Sequence, residues 1–306
     1  MGLLVPGLMA LIAGLVIHSF IIGVNVSDWW RGRSVTPVDL IVTSLGISRI
    51  GANALFYVVQ FLLSYFDINL TIVIIEMLYD FFISANTWLT SLLSIVLCLK
   101  ISNLHTRLFL YLRRMILPRT GCLIAASVIL SALDVLLTLW IAFTKVTIGG
   151  THNITMDDVA IDCTNTNSLY HHVTANFISL IFYCTSSVLL FVSLYHHTTR
   201  MKMSSNLSIN LETYYSAMKL VSFTFIYNTV YYIGNFLVVF FYYFYCLTPP
   251  WLYLSLDFLP VLHSSYLIYS TAKLRNQMSK VLRNLMDFLF QSKNTETMEN
   301  IEVAAQ

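Results

Sequence analysis

Three carboxylates stand where carboxylates are expensive. Glu76, Asp80 and Asp257 each interrupt a long apolar run, and ionisable groups inside such runs mark sites of function or of tight polar packing. Glu76 and Asp80 are four residues apart, so on a helix they share one face. No Lys or Arg occupies the corresponding half of any apolar run. Carboxylates that stay ionised there need water or an incoming cation, so the pattern suits an amine or quaternary ammonium ligand in a water-filled cavity. Tyr79, Tyr231 and Tyr253, with Tyr232 and Tyr242, could wall such a cavity and attract a cation through their ring faces. The bland alternative is that these acids are protonated and hydrogen-bonded, and the tyrosines are packing residues. A second costly pair is Arg49 and His18, which lie at similar depth in neighbouring apolar runs. Arg49 is about 16 Å from the start of its run, at about 1.5 Å per helical residue. A polar cluster joining two helices is the favoured reading of that pair over ligand contact. Asp134 reads as a helix-packing acid.

The elements that must position these groups follow from composition. The chain is 57% hydrophobic and 10% charged, against about a quarter charged in soluble domains. Apolar runs recur at roughly 3–26, 38–66, 70–99, 119–143, 173–195, 217–245 and 250–269, each long enough to cross a hydrocarbon core. Backbone groups in lipid must be satisfied within the segment, so each run is expected to be helical. The expected fold is an all-α membrane protein, a seven-transmembrane helix bundle over 1–292, with a polar cytosolic tail over 293–306 expected to be disordered. The first run is expected to be a retained helix, not a cleaved signal peptide.

Orientation comes from the basic residues. Arg31 and Arg33; Lys100, Arg107, Arg113, Arg114 and Arg119; Arg200, Lys202 and Lys219; and Lys273, Arg275, Lys280, Arg283 and Lys293 all fall on one side. Asp67, Asp157, Asp158 and Asp162 fall on the other. The N-terminus is therefore expected outside and the C-terminus in the cytosol. The stretch after Lys100 reads as a strongly basic loop. After the last run, Leu274, Met278, Leu282, Leu285 and Leu289 recur at helical spacing among basic residues, as in a short amphipathic helix on the inner leaflet. The long external segment carries the acceptor Asn153-Ile154-Thr155, so Asn153 is the expected glycosylation site. The five cysteines have no metal-ligand spacing. Cys98, Cys122 and Cys184 sit in apolar runs, whereas Cys163 and Cys246 face the expected exterior and could bridge. No cofactor, metal or nucleic-acid motif is recognised, and HExxH and GxSxG are absent, so an enzyme is not expected.

Several motifs together resemble the type 2 (bitter) taste receptors, a family of G-protein-coupled receptors. Leu45-Gly46-Ile47-Ser48-Arg49 is similar to the family's Leu-x-x-Ser-Arg, and Leu99-Lys100-Ile101-Ser102-Asn103 to its Leu-Lys-Ile-Ala-Asn, with Trp88-Leu89 upstream. Ser193-Leu194-Tyr195-His196-His197-Thr198 with Met201, Ser222-Phe223 with Tyr227, and Pro260, His263-Ser264, Ile268 and Lys273-Leu274 resemble the patterns of the last three helices. His18 where Asn is usual, Val96-Leu97 for an aromatic pair, and Ser270-Thr271 for Gly-Asn mark a divergent member. The resemblance implies a plasma-membrane, multi-pass chemosensory receptor that binds small external agonists and activates a heterotrimeric G protein of the gustducin-like, inhibitory class. It adds His263 to the polar core and places Lys100, Arg107, His197 and Lys219 at the coupling end. A vomeronasal type 1-like pheromone receptor is the near alternative. A small transporter or channel is the alternative from another class, although no internal repeat or paired broken helices support it.

Overall fold

The computed structural model describes residues 4–66, 70–101, 107–148, 166–203, 208–247 and 249–304. Among these residues all regular structure is helical. In chain order the helices are α1 (Leu4–Trp30), α2 (Pro37–Tyr65), α3 (Leu70–Ile101), α4 (Arg107–Ile116), a 3-10 turn (Leu117–Arg119), α5 (Thr120–Ile148), α6 (Thr166–Met203), α7 (Ser208–Tyr245), α8 (Pro250–Ser270) and α9 (Ala272–Ala304). Six stretches, beginning at Val5, Pro37, Leu70, Phe109, Phe177 and Met218, are long and apolar enough to cross a membrane. α8 has the length for a crossing but is diluted by Asp257, Pro260, His263 and four serines. All seven expected spans are therefore helices of spanning length, in a multi-pass membrane protein.

Helix ends follow local chemistry. α1 stops at a Schellman motif: Arg33 N–H donates to Asp28 O at 3.1 Å and Gly32 N–H to Trp29 O at 3.0 Å. Gly32 supplies the left-handed φ of +68° that this turn requires. The Arg33–Asp28 ion pair at 2.8 Å holds the same corner. α2 then opens on a capping box, in which Asp39 N–H donates to Thr36 Oγ1 and Thr36 N–H to Asp39 Oδ2, both at 3.2 Å. Pro37 begins the helix where its missing N–H costs nothing.

Three expectations need correction. The basic stretch after Lys100 is not all loop, because α4 forms within it. Phe109, Leu112 and Ile116 fall on one face and pack with Cys98, Leu99, Leu190, Leu194 and Val221. α5, α6 and α7 run past the ends of their apolar runs, because hydrophobicity marks only the stretch meant for lipid and no Pro or Gly halts them sooner. The polar tail is helical as far as Ala304, since nothing between Ala272 and that point breaks a helix.

The chain divides into two compact units, Met1–Ser264 and Ser265–Gln306. Within the first, α3 is the hub. It packs against α2, α5 and α6, and its buried residues run almost unbroken from Ala85 to Leu99. Small hydroxyl side chains let α3 and α6 approach closely. Ser91 and Ser179 hydroxyls lie 2.7 Å apart, Ser94 and Ser187 also 2.7 Å, and Ser186 donates to Ser94 at 2.8 Å. Ser84 on α3 donates to Asp134 on α5 at 2.9 Å, giving that acid the packing role expected of it. The second unit is the end of α8 and the amphipathic α9, in which Leu274 is buried while Lys280, Arg283 and residues 281–288 are exposed.

Candidate functional site

Arg49 is buried in the first unit, 3% exposed, and among the described residues no carboxylate pairs with it. Its guanidinium is satisfied by neutral groups from three other helices. Nε donates to Asn86 Oδ1 of α3 at 3.2 Å, and Nη1 to Ser264 Oγ of α8 at 3.0 Å. His263 Nδ1 lies 3.3 Å from the same Nη1, and Nη2 donates to Tyr227 OH of α7 at 3.2 Å. The Tyr227 ring stacks on His263 at 4.4 Å. Asn86 in turn donates to Tyr231 OH at 3.1 Å. A planar fork with donors on three nitrogens can serve four acceptors at once, which a point charge could not. His18, expected beside Arg49, meets it indirectly: its Nε2 is 3.0 Å from Ser264 Oγ, the hydroxyl that also takes Arg49. So His18, Arg49 and His263 do gather into one core, with Ser264 as the bridge. Asn86, Ser264 and Tyr227 were missed as members.

A second constellation is built around Phe56 of α2. Its ring stacks on Tyr253 of α8 at 5.5 Å and packs against Tyr79 of α3 at 5.9 Å. Tyr57 beside it has its hydroxyl 2.7 Å from Gly7 O of α1 and 3.0 Å from Asp257 Oδ2. The structure thus brings Tyr79, Tyr253 and Asp257 together around Phe56 and Tyr57, with Glu76 and Asp80 on the same helix as Tyr79. They are not equivalent. Asp80 is exposed, Glu76, Tyr79, Tyr253 and Asp257 are half-buried, and Tyr231 is buried at 8% exposure with its hydroxyl taken by Asn86. Tyr231 belongs to the polar core. Phe56 and Tyr57 had no signal in the sequence beyond being aromatic.

Residues 3–286 match the taste receptor protein family, TAS2R. The chain belongs to that family. It is 26% identical to taste receptor type 2 member 16 of Gorilla gorilla gorilla over 231 residues, covering 72% of this chain and 76% of the relative. The human member 16 matches at the same identity and coverage. Taste receptor type 2 member 143 of Mus musculus is 29% identical over 218 residues, covering 70% and 74%. These relatives are receptors, not enzymes.

The remaining taste-receptor candidates map onto one end of the first unit. Leu99, Phe109, Leu194 and Val221 form a single buried cluster, and Lys100, Arg107, His197 and Lys219 lie within three residues of them along the chain. Lys100, Arg107 and Lys219 are exposed. The side chain of His197 lies outside the described residues. A cleft beside the cluster is lined by Leu45, Ser94, Ser187, Val221, Asn228 and His263, so it reaches up to the Arg49 network. Cys246 is disulfide-bonded and has a left-handed φ of 50°, whereas Cys98, Cys122 and Cys184 are free. Asn153 and Cys163 lie outside the described residues.

Proposed function

We propose that the chain is a bitter-type chemosensory G-protein-coupled receptor of the plasma membrane, with its N-terminus outside and its C-terminus in the cytosol. A small external agonist binds among Glu76, Tyr79, Asp80, Tyr253 and Asp257. The Lys100, Arg107, His197 and Lys219 end engages a heterotrimeric G protein of the gustducin-like, inhibitory class. The observation that carries this reading is the packing of Tyr79 of α3 and Tyr253 of α8 on Phe56 of α2, with Asp257 held by the neighbouring Tyr57. The Arg49 network lies between them and the basic end. Tyr231 touches that network through Asn86, so an agonist seated against Tyr231 would act on Arg49 through two hydrogen bonds. An agonist shifts the receptor only as far as it binds the active arrangement more tightly.

The acid cluster favours cationic agonists. Tyr57 has one hydroxyl hydrogen for two acceptors, the Gly7 carbonyl and Asp257. A carboxylate at Asp257 therefore keeps acceptor capacity for an ammonium group. Cys163 is the partner we assign to Cys246, being the one cysteine of five left over. Asn153, ten residues before it, is the assigned glycosylation site on the same external segment.

The test is agonist-evoked calcium release in cells carrying a promiscuous G protein, comparing wild type with Asp257→Asn at matched surface expression. Losing a charge-assisted contact of roughly 1.5–3 kcal/mol should lower the potency of cationic agonists about ten- to a hundredfold. Neutral agonists should change little. Equal losses for both classes would remove the charge argument, and ion flux independent of any G protein would overturn the receptor reading.

A further inference from the structure

α4 presents an unusual outward face. Phe109, Leu112 and Ile116 turn inward against the cluster formed by α3, α6 and α7. Outward stand Arg107, Arg113 and Arg114, all exposed, and Arg119 follows in the turn that joins α4 to α5. Among the described residues the one ion pair is Arg33–Asp28, and none of these four arginines has an acidic partner there. No Asp or Glu occurs along the chain from Phe81 to Leu133. The face that carries Arg107 and Arg114 also exposes Leu110 at 48%, Tyr111 at 63% and Met115 at 42%, with Arg113 on its flank. An ordinary solvated face does not interleave large apolar side chains with its charges. A helix lying at a lipid boundary does, with apolar side chains dipping toward the acyl region and cations at headgroup level. The position fits: one three-residue turn separates α4 from α5, and Phe109–Ile141 reads as one apolar stretch able to cross a membrane.

We propose that α4 and the turn after it form a binding surface for anionic phospholipid headgroups, with Arg113, Arg114 and Arg119 holding phosphate oxygens and Leu110 and Tyr111 seated beside the acyl chains. The complementarity is of charge and of depth. Guanidinium groups bind phosphate in a forked geometry, and a cluster of cations next to a membrane-spanning helix is attracted to anionic lipid. That the cytosolic leaflet supplies the lipid rests on the orientation proposed above. The binding itself does not.

The experiment uses the purified full-length chain in neutral detergent. The probe is a fluorescent short-chain phosphatidylinositol bisphosphate, read by polarisation, with the phosphatidylcholine analogue as the neutral control. Wild type should bind the anionic probe saturably, more tightly than the control, and more weakly as salt is added. Arg113→Gln, Arg114→Gln and Arg119→Gln combined should lower that affinity at least about tenfold, and the three Lys replacements should largely keep it. Thermal unfolding checks that the variants fold. Were the combined Gln variant unstable, Arg113→Gln and Arg114→Gln tested singly should each cost about fivefold. Undiminished binding by the Gln variants, with loss on Lys280→Gln plus Arg283→Gln instead, would place the lipid on α9 and overturn the proposal. The lipid measurement needs neither agonist nor G protein, so it stands or falls apart from the receptor reading.

Discussion

Replacing Arg49 with Lys keeps the positive charge and removes the fork. The guanidinium reaches four acceptors from three nitrogens: Asn86, His263, Ser264 and Tyr227. A lysine ammonium donates from one atom, so it can keep about two of them and must abandon the groups on the other side. Interhelical hydrogen bonds within membranes average about 0.6 kcal/mol each and reach about 1.7 kcal/mol. Two lost bonds therefore predict a destabilisation of about 1–3.5 kcal/mol. For a chain of this length that corresponds to a fall in Tm of about 2–5 °C. The assay is thermal unfolding of purified receptor followed with a thiol-reactive dye. Cys98 is free and buried at 3% exposure, so it reports loss of the core around α3, while the exposed Cys122 sets the baseline. Ser264→Ala in the same assay closes a double-mutant cycle, whose coupling should be about 0.6–1.7 kcal/mol if Arg49 and Ser264 act as one unit. A Tm for Arg49→Lys within about 1 °C of wild type would show that the fork is not what the site uses. A cycle with no coupling would remove Ser264 from the network.

Gly51→Ala should also lower Tm, because a Cβ there would meet the Phe82 ring at 2.8 Å and push α2 from α3, an overpacking cost of about 1–3 kcal/mol. Gly23→Ala, with open space around it, is the matched control and should not destabilise. Lys100→Ala should reduce the maximal agonist response at unchanged surface expression, measured by calcium release. An unaltered response would reduce Lys100 to an anchor at the lipid boundary. An epitope before Gly2 should be stained on intact cells, and one inserted beside Arg113 only after permeabilisation. The reverse staining would invert the proposed orientation.

Some of this was legible in the chain because lipid imposes a one-dimensional rule. A segment that crosses must stay apolar for about 20 residues, and that length is visible without any tertiary contact. For the same reason Arg49, His18, Asp80 and Asp257 stood out, since each breaks the rule at a cost only a partner or water can offset. The motifs around Leu45–Arg49 and Leu99–Asn103 carried the family as well. α4 was not legible, because its inward face rests on Phe109, Leu112 and Ile116 alone and five Lys and Arg residues from Lys100 to Arg119 dominate the reading.

What sequence could not say was which way each helix is turned. Ser264, Asn86 and Tyr227 are inexpensive residues common in membrane helices, so nothing in their types marks them as partners of Arg49. They become partners because α3, α7 and α8 point those faces inward, across separations of 37, 178 and 215 residues. Tyr231 shows the same limit. Read along the chain it is one aromatic wall residue among several, yet its rotation about α7 puts its hydroxyl on Asn86 and its ring in the core. Apolar length is a property each segment has alone. Helix azimuth is settled only by the pairwise packing of all of them, through contacts as small as the meeting of the Ser91 and Ser179 hydroxyls.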